Sequence, residues 1–289
     1  MSKMDSFIPR LESLLDRLEP LLPPVQATLD FAASIAFRWR KRGLRGGLEA
    51  VSVPHGIRLD DLKGVDRQAE LIARNSLQFV EGRPANNVLL TGARGTGKSS
   101  LVKAVLNEFS PRGLRLVEVE KNDLLDLADI IEILVRQPYR FILFSDDLSF
   151  EADEPGYKAL KAVLDGSVAA TPENVLLYAT SNRRHLMPEY MRENLETRYV
   201  GDEIHPSETV EEKVSLSERF GLWISFYPFD QDEYLAIVRH WLQRLGAADP
   251  QSEQVRLEAL QWALMRGSRS GRVAWHFARD WAGRHGASS

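Results

Sequence analysis

Eight consecutive residues constrain this chain more than any others: Gly92-Ala93-Arg94-Gly95-Thr96-Gly97-Lys98-Ser99, set directly after the apolar run Asn87-Val88-Leu89-Leu90. They match G-x-x-x-x-G-K-[ST] in full. Glycines in this pattern let backbone N–H groups turn inward around phosphate oxygens, where a β-carbon would obstruct them. Lys98 adds positive charge at the β and γ phosphates, and the Ser99 hydroxyl is a ligand for Mg²⁺. The flanks agree with that chemistry. A strand enters the loop, and a helix from Lys98 to about Phe109 leaves it, turning its N-terminal dipole toward the bound anion.

From Asp60 onward strands alternate with helices. Apolar runs at Asn87–Leu90, Leu114–Val119, Phe141–Phe144, Val175–Ala179 and Leu222–Phe226 predict five strands, and short apolar strands separated by helices imply a parallel sheet covered on both faces. After Pro228 the spacing turns helical over Gln231–Leu245, Glu253–Met265 and Gly271–Arg284. The expected class is α/β, with a nucleotide-binding core over 51–228 and a small helical domain over 229–289.

Two strand ends carry further chemistry. Phe141-Ile142-Leu143-Phe144-Ser145-Asp146-Asp147 is an apolar strand closed by two carboxylates. Asp146 reaches a Mg²⁺ shell in this arrangement, and Asp147 is placed to orient or deprotonate an attacking water. Val175-Leu176-Leu177-Tyr178-Ala179-Thr180-Ser181-Asn182 ends in polar side chains. The Asn182 amide could hold that water or touch the γ-phosphate, whereas Thr180 and Ser181 read as caps of the next turn.

The first 50 residues read differently. Phe7, Leu11, Leu14, Leu15, Leu18, Leu21 and Leu22 fall on one face of a helix that Pro23-Pro24 ends. A second helix is expected from about Val25 into Arg38-Trp39-Arg40-Lys41-Arg42-Gly43-Leu44-Arg45, followed by a linker over Gly43–Gly56. Residues 1–50 are thus an N-terminal helical extension, available to a protein partner. The basic run with Trp39 suits either single-stranded nucleic acid or a solvated helix end. The net charge of −4 disfavours nucleic acid held by the whole surface. Asn182–Arg219 breaks the strand–helix rhythm. It is acidic around 196–212, and Thr209-Val210-Glu211-Glu212 predicts a helix start there, after a mobile surface loop.

Composition closes other routes. There are no cysteines, so disulfides, thiolate metal sites and cysteine nucleophiles are excluded. His55, His185 and His205 are too scattered to suggest a metal site. No apolar stretch near the start approaches the ~18 residues a membrane span needs, and none resembles a signal peptide, so a cytoplasmic protein without membrane association is expected.

Together these motifs resemble an AAA+ ATPase over about residues 55–285. Gly92–Ser99 is similar to Walker A and Phe141–Asp147 to Walker B, with aspartate at 147 where glutamate is usual. Asn182 is similar to the sensor-1 asparagine. Ser215-Leu216-Ser217-Glu218-Arg219-Phe220-Gly221 resembles the box ending in the arginine finger of initiator and helicase-loader proteins. Arg192 and Arg198 are fallback fingers. Ser268-Arg269-Ser270-Gly271-Arg272 resembles a sensor-2 segment, with Arg272 as the sensor and Arg269 its nearest competitor. Leu59-Asp60-Asp61-Leu62-Lys63-Gly64-Val65-Asp66 is similar to the segment that cradles adenine, with Val65 at the base.

More narrowly, the chain resembles a functionally unassigned bacterial family of AAA+ ATP-binding proteins. Leu89–Ser100, Ser145–Phe150 and Ala179–Leu186 carry that match. The resemblance implies a P-loop core with a parallel five-stranded sheet and a helical lid. It also implies ATP and Mg²⁺ as ligands, with Gly92, Ala93, Arg94, Gly95, Thr96, Gly97, Lys98, Ser99 and Ser100 around the phosphates, and hydrolysis to ADP and phosphate in a homo-oligomer with shared sites. Three outputs fit: remodelling of a protein or nucleoprotein partner, a nucleotide-gated binding module, or a DNA-directed loader, the last least favoured by charge.

Overall fold

The computed structural model describes residues 29–42, 45–52, 54–150, 154–165, 172–182, 198–200, 203–205 and 217–285. The apolar stripe Phe7–Leu22 and Arg192 lie outside them.

The sheet has seven strands: β1 (Ala36–Arg42), β2 (Arg45–Ala50), β3 (Val88–Gly92), β4 (Leu114–Glu118), β5 (Arg140–Ser145), β6 (Val175–Ser181) and, after a small separate hairpin, β9 (Leu222–Phe226). Their order is β2-β1-β4-β5-β6-β3-β9. Every pairing is parallel except β1 with β2. The hairpin is β7 (Arg198–Val200) and β8 (Glu203–His205), which pair antiparallel inside the stretch expected as a surface loop.

Helices α1 (Asp66–Val80) and α2 (Lys98–Phe109) flank β3, α3 (Leu127–Val135) leads to β5, and α4 (Pro155–Asp165) precedes β6. The chain ends in α5 (Gln231–Arg244), α6 (Glu253–Arg266) and α7 (Gly271–His285). The five strands expected from the sequence are present, as are the helices expected over Lys98–Phe109, Gln231–Leu245, Glu253–Met265 and Gly271–Arg284. Of the helix expected from Thr209, residues 209–216 lie outside the description, and Ser217 and Glu218 are helical.

Alternate residues along each strand feed two cores. Val88, Leu90, Ile142, Phe144 and Tyr178 join Ile72 of α1, Val102 and Val105 of α2, and Tyr234, Val238 and Phe277 of the C-terminal helices. Leu89, Phe141, Leu143 and Leu177 face the other way, onto Ile130 and Leu134 of α3 and Leu160 of α4. The C-terminal helices therefore share a core with one face of the sheet.

Residues 36–50 correct the sequence reading. The expected helix and linker are instead a β-hairpin that widens the sheet from five strands to seven, so the core begins before residue 50. The reason is alternation by two. Phe37 and Trp39 point into the core beside α3, while Arg38 and Arg40 point away. The cations are matched within the fold: Arg38 donates from Nε and Nη2 to Glu118 Oε2 (2.8 and 2.6 Å), Arg40 to Glu120 (3.1 Å) and Lys41 to Asp126 (3.0 Å). Trp39 is 3% exposed and donates to Asp126 Oδ2 at 3.0 Å, so it is not presented for base stacking.

Candidate functional site

β3 delivers the glycine loop to the C-terminal edge of the sheet, and Gly97, in left-handed conformation, caps α2. Thr96 Oγ1 donates back to the Ala93 carbonyl at 2.8 Å, closing the loop on itself. Lys98 is buried inside it, its Nζ donating to the carbonyls of Gly92 and Ala93 (both 2.8 Å) and to Asn182 Oδ1 (3.0 Å). Burial pushes the Lys98 ammonium below its ordinary pKa; Asp146 and Asp147 pull it up, and the nearby cations Arg94 and Arg272 push it down. Arg94 and Arg272 are thus within electrostatic reach of Lys98, a setting suited to a polyanion.

The two carboxylates are held by β6. Asp146 Oδ1 accepts from Ser99 Oγ at 2.6 Å and from Thr180 Oγ1. Thr180 Oγ1 also accepts from the Asp147 amide at 2.9 Å, and its carbonyl from the Leu148 amide at 2.7 Å. Asp147 is the one described non-glycine residue with positive φ, at 54°, a conformation aspartate tolerates better than most. Its Oδ1 accepts from Asn182 Nδ2, and its Oδ2 lies 3.8 Å from Arg94 Nη2. The sequence reading of Thr180 as a bland cap undervalues it, because its hydroxyl fixes both acidic residues.

A hydroxyl and a carboxylate oxygen side by side at Ser99 and Asp146 form a hard-oxygen donor pair of the kind Mg²⁺ prefers.

The C-terminal helices reach the same loop. The Gly271 amide donates to the Gly95 carbonyl at 2.9 Å. A β-carbon on Gly95 would lie 2.8 Å from Ser270 Cβ and 3.7 Å from Arg272 Cβ, so only glycine permits α7 to begin this close. Arg272 therefore stands in the first turn of α7 beside the glycine loop. Val65 is buried at the N-cap of α1, and Leu62 comes within contact distance of Gly97, so the expected adenine segment does flank the loop. Ser100 is half-buried in the first turn of α2.

That segment is tied to α5 by a contact the sequence did not disclose. Asp61, 4% exposed, accepts from the Arg58 amide (2.9 Å), from Arg244 Nη1 and from His240 at 3.2 Å. Burial pushes its carboxyl up, but the Arg58 amide, Arg244 and His240 outweigh that and hold it below the ordinary value.

Arg219 is not part of this constellation. It precedes β9, whose Leu222 lies beside Val88 at the start of β3, whereas the loop follows Gly92 at the other end. At ~3.3 Å per residue, a sheet edge more than about 13 Å away separates them. Its Nε donates to Asp165 at the end of α4. The side chain of Arg198 lies outside the description.

Fold and loop together resemble the α/β core of AAA+ proteins. The chain belongs to the family described as "Protein of unknown function (DUF815)", whose model matches residues 32–285, the β1–β2 hairpin included. No curated protein matches it. Among solved structures it is similar to a replication initiator DnaA bound to AMPPCP and single-stranded DNA, at 16% identity and TM-score 0.53, over 81% of this chain and 67% of that one. AMPPCP-bound DnaA from Aquifex aeolicus gives 16% and 0.53, over 78% of this chain and 65% of that one. A Thermotoga maritima RuvB mutant gives 16% and 0.49, over 79% and 67%. The chain thus spans about two thirds of the length of these proteins, and the likeness is one of fold. No described helix is long and apolar enough to cross a membrane.

Proposed function

We propose that this protein binds ATP with Mg²⁺ and hydrolyses it to ADP and phosphate, in a homo-oligomer whose sites are shared, to remodel a protein or nucleoprotein partner. The observation that carries the reading is the connected set Lys98–Asn182–Asp147 beside Ser99–Asp146, joined through Thr180. Two of the similar structures are of DnaA with AMPPCP, which supports an ATP-type ligand for this fold.

In this reading the loop amides from Ala93 to Ser99 and the Lys98 ammonium hold the phosphates, and Val65 borders the base. Ser99 and Asp146 would hold Mg²⁺, which supplies charge neutralisation when bound. Asp147 orients and deprotonates water, and Asn182 holds the Asp147 carboxylate in place. Arg272 adds positive charge from α7. Arg219, at the far edge of the sheet, acts on a neighbouring subunit, where such an arginine is worth ~10³–10⁵ in rate in related GTPase systems.

The test is turnover per subunit across protein concentration, with Arg219→Ala and Lys98→Ala in parallel. Turnover should rise with concentration, fall at least tenfold in Arg219→Ala and vanish in Lys98→Ala. A Lys98→Ala variant as active as wild type would sink the proposal.

A second reading has an observation of its own. Asp147 is shorter than the usual glutamate and both its oxygens are engaged, as expected of a nucleotide-gated binding module that hydrolyses slowly. Flat, slow turnover indifferent to Arg219, with partner binding that survives Asp147→Asn, would favour it. The DNA-directed reading loses its main support, because Trp39 is buried and Arg38, Arg40 and Lys41 are paired with carboxylates.

A further inference from the structure

We infer that Arg94 selects for a nucleoside triphosphate over a diphosphate, its guanidinium being shared between the Asp147 carboxylate and a terminal phosphate. The inference rests on the nucleotide-binding reading above and adds a role for a side chain that the loop motif leaves open to any residue.

Three observations converge on Arg94. It lies in the phosphate loop, yet its side chain is 78% exposed and points across the site, where Nη2 stands 3.8 Å from Asp147 Oδ2. It belongs to the same loop as Lys98 and lies within electrostatic reach of that ammonium. The other Asp147 oxygen is already taken by Asn182, whose own Oδ1 accepts from Lys98. Arg94 thus stands at one end of a chain of polar contacts and Lys98 at the other, with Asp147 and Asn182 between them.

A 3.8 Å pair between two largely exposed groups is loose, and such pairs are easily exchanged. A terminal phosphate offers more negative charge and a pair of oxygens that the planar fork of a guanidinium can bridge. A triphosphate held by the loop and Lys98 would draw Arg94 away from Asp147 Oδ2, leaving the carboxylate oriented by Asn182 alone. A diphosphate lacks the group that competes for Arg94. Recognition of the triphosphate and unmasking of the Asp147 oxygen are then one exchange of partners.

The test is a double-mutant cycle on binding, not turnover: Kd for AMPPCP and for ADP, with Mg²⁺, by calorimetry on wild type, Arg94→Met, Asp147→Asn and the double variant. Arg94→Met should weaken AMPPCP about tenfold and ADP less than twofold. Asp147→Asn, which frees Arg94, should tighten AMPPCP about two- to fivefold where Arg94 is present, and much less in the Arg94→Met background. Arg94→Lys should recover part of the loss. If wild type binds both nucleotides but Arg94→Met shifts them equally, or Asp147→Asn tightens AMPPCP equally with and without Arg94, the inference is overturned and the nucleotide reading stands. Wild type that binds neither nucleotide overturns both.

Discussion

The contact that ties the Leu59–Asp66 segment to the C-terminal helices can be broken from either end, and the two ends should not cost the same. Asp61 is 4% exposed, while Arg244 is 45% exposed. Arg244→Ala strands a buried carboxylate with only the Arg58 amide and His240 to compensate. Removing one partner of a fully buried pair costs ~3–5 kcal/mol, and the half-exposed guanidinium lowers that to about 2–3. Asp61→Ala strands only a guanidinium that water can reach, at a cost of about 1–2 kcal/mol for the lost charged hydrogen bonds. For a chain of this size each kcal/mol moves Tm by roughly 2–4 °C, so Arg244→Ala should lower it by about 4–12 °C and Asp61→Ala by about half as much. The double variant should resemble Asp61→Ala, because no stranded carboxylate remains.

Acidification removes the same stabilisation. The folded Asp61 carboxyl lies below its reference value of 3.8, so its stabilisation is complete above that pH and disappears as pH falls through the lower, folded-state value. Thermal melts followed by circular dichroism should therefore show the Arg244→Ala deficit shrinking as pH drops below 3.8. An Arg244→Ala deficit no larger than that of Asp61→Ala, or fully additive effects, would refute the argument.

Other perturbations separate structure from chemistry. Thr180→Val keeps the shape but removes the acceptor of the Asp147 amide and the donor to Asp146; it should cost about 1–3 kcal/mol in thermal melts and raise the Mg²⁺ concentration needed for half-maximal turnover about tenfold or more. An unchanged Mg²⁺ requirement would remove Thr180 from the site. Gly46→Ala places a β-carbon 2.0 Å from the Trp39 ring, so it should lower stability by about 1–3 kcal/mol and perturb near-ultraviolet dichroism, leaving nucleotide affinity unaltered. Arg38→Gln should lower Tm by a degree or two, through loss of the half-exposed Glu118 pair, and leave the salt dependence of any DNA binding unaltered in fluorescence anisotropy. A reduced salt slope would restore this strand as a nucleic-acid contact.

The reach of the sequence follows the range of the interactions involved. The glycine loop is built from eight neighbouring residues and one strand–helix junction, so its pattern is written locally. The apolar runs of β3 to β6 are also local, since a strand buried on both faces needs no pattern beyond continuous hydrophobicity. The β1–β2 hairpin is masked in the sequence by its density of charge. Ala36-Phe37-Arg38-Trp39-Arg40 alternates with a period of two, as a strand with one polar face does, but its cations are balanced by Glu118, Glu120 and Asp126, about 80 residues downstream.

The same distance hid what positions the site. Thr180 matters because β5 and β6 are neighbours, with Ser145 beside Ala179, and nothing in either strand alone announces that pairing. Asp61 meets Arg244 across 183 positions. The glycine loop and the acidic strand end are therefore legible, whereas the contacts that hold them in place are not. A loop motif can recur wherever phosphate must be held. The polar contacts that aim Asp147 and anchor Asp61 depend on how this sheet and these helices meet, and they are where this protein's specificity has to be sought.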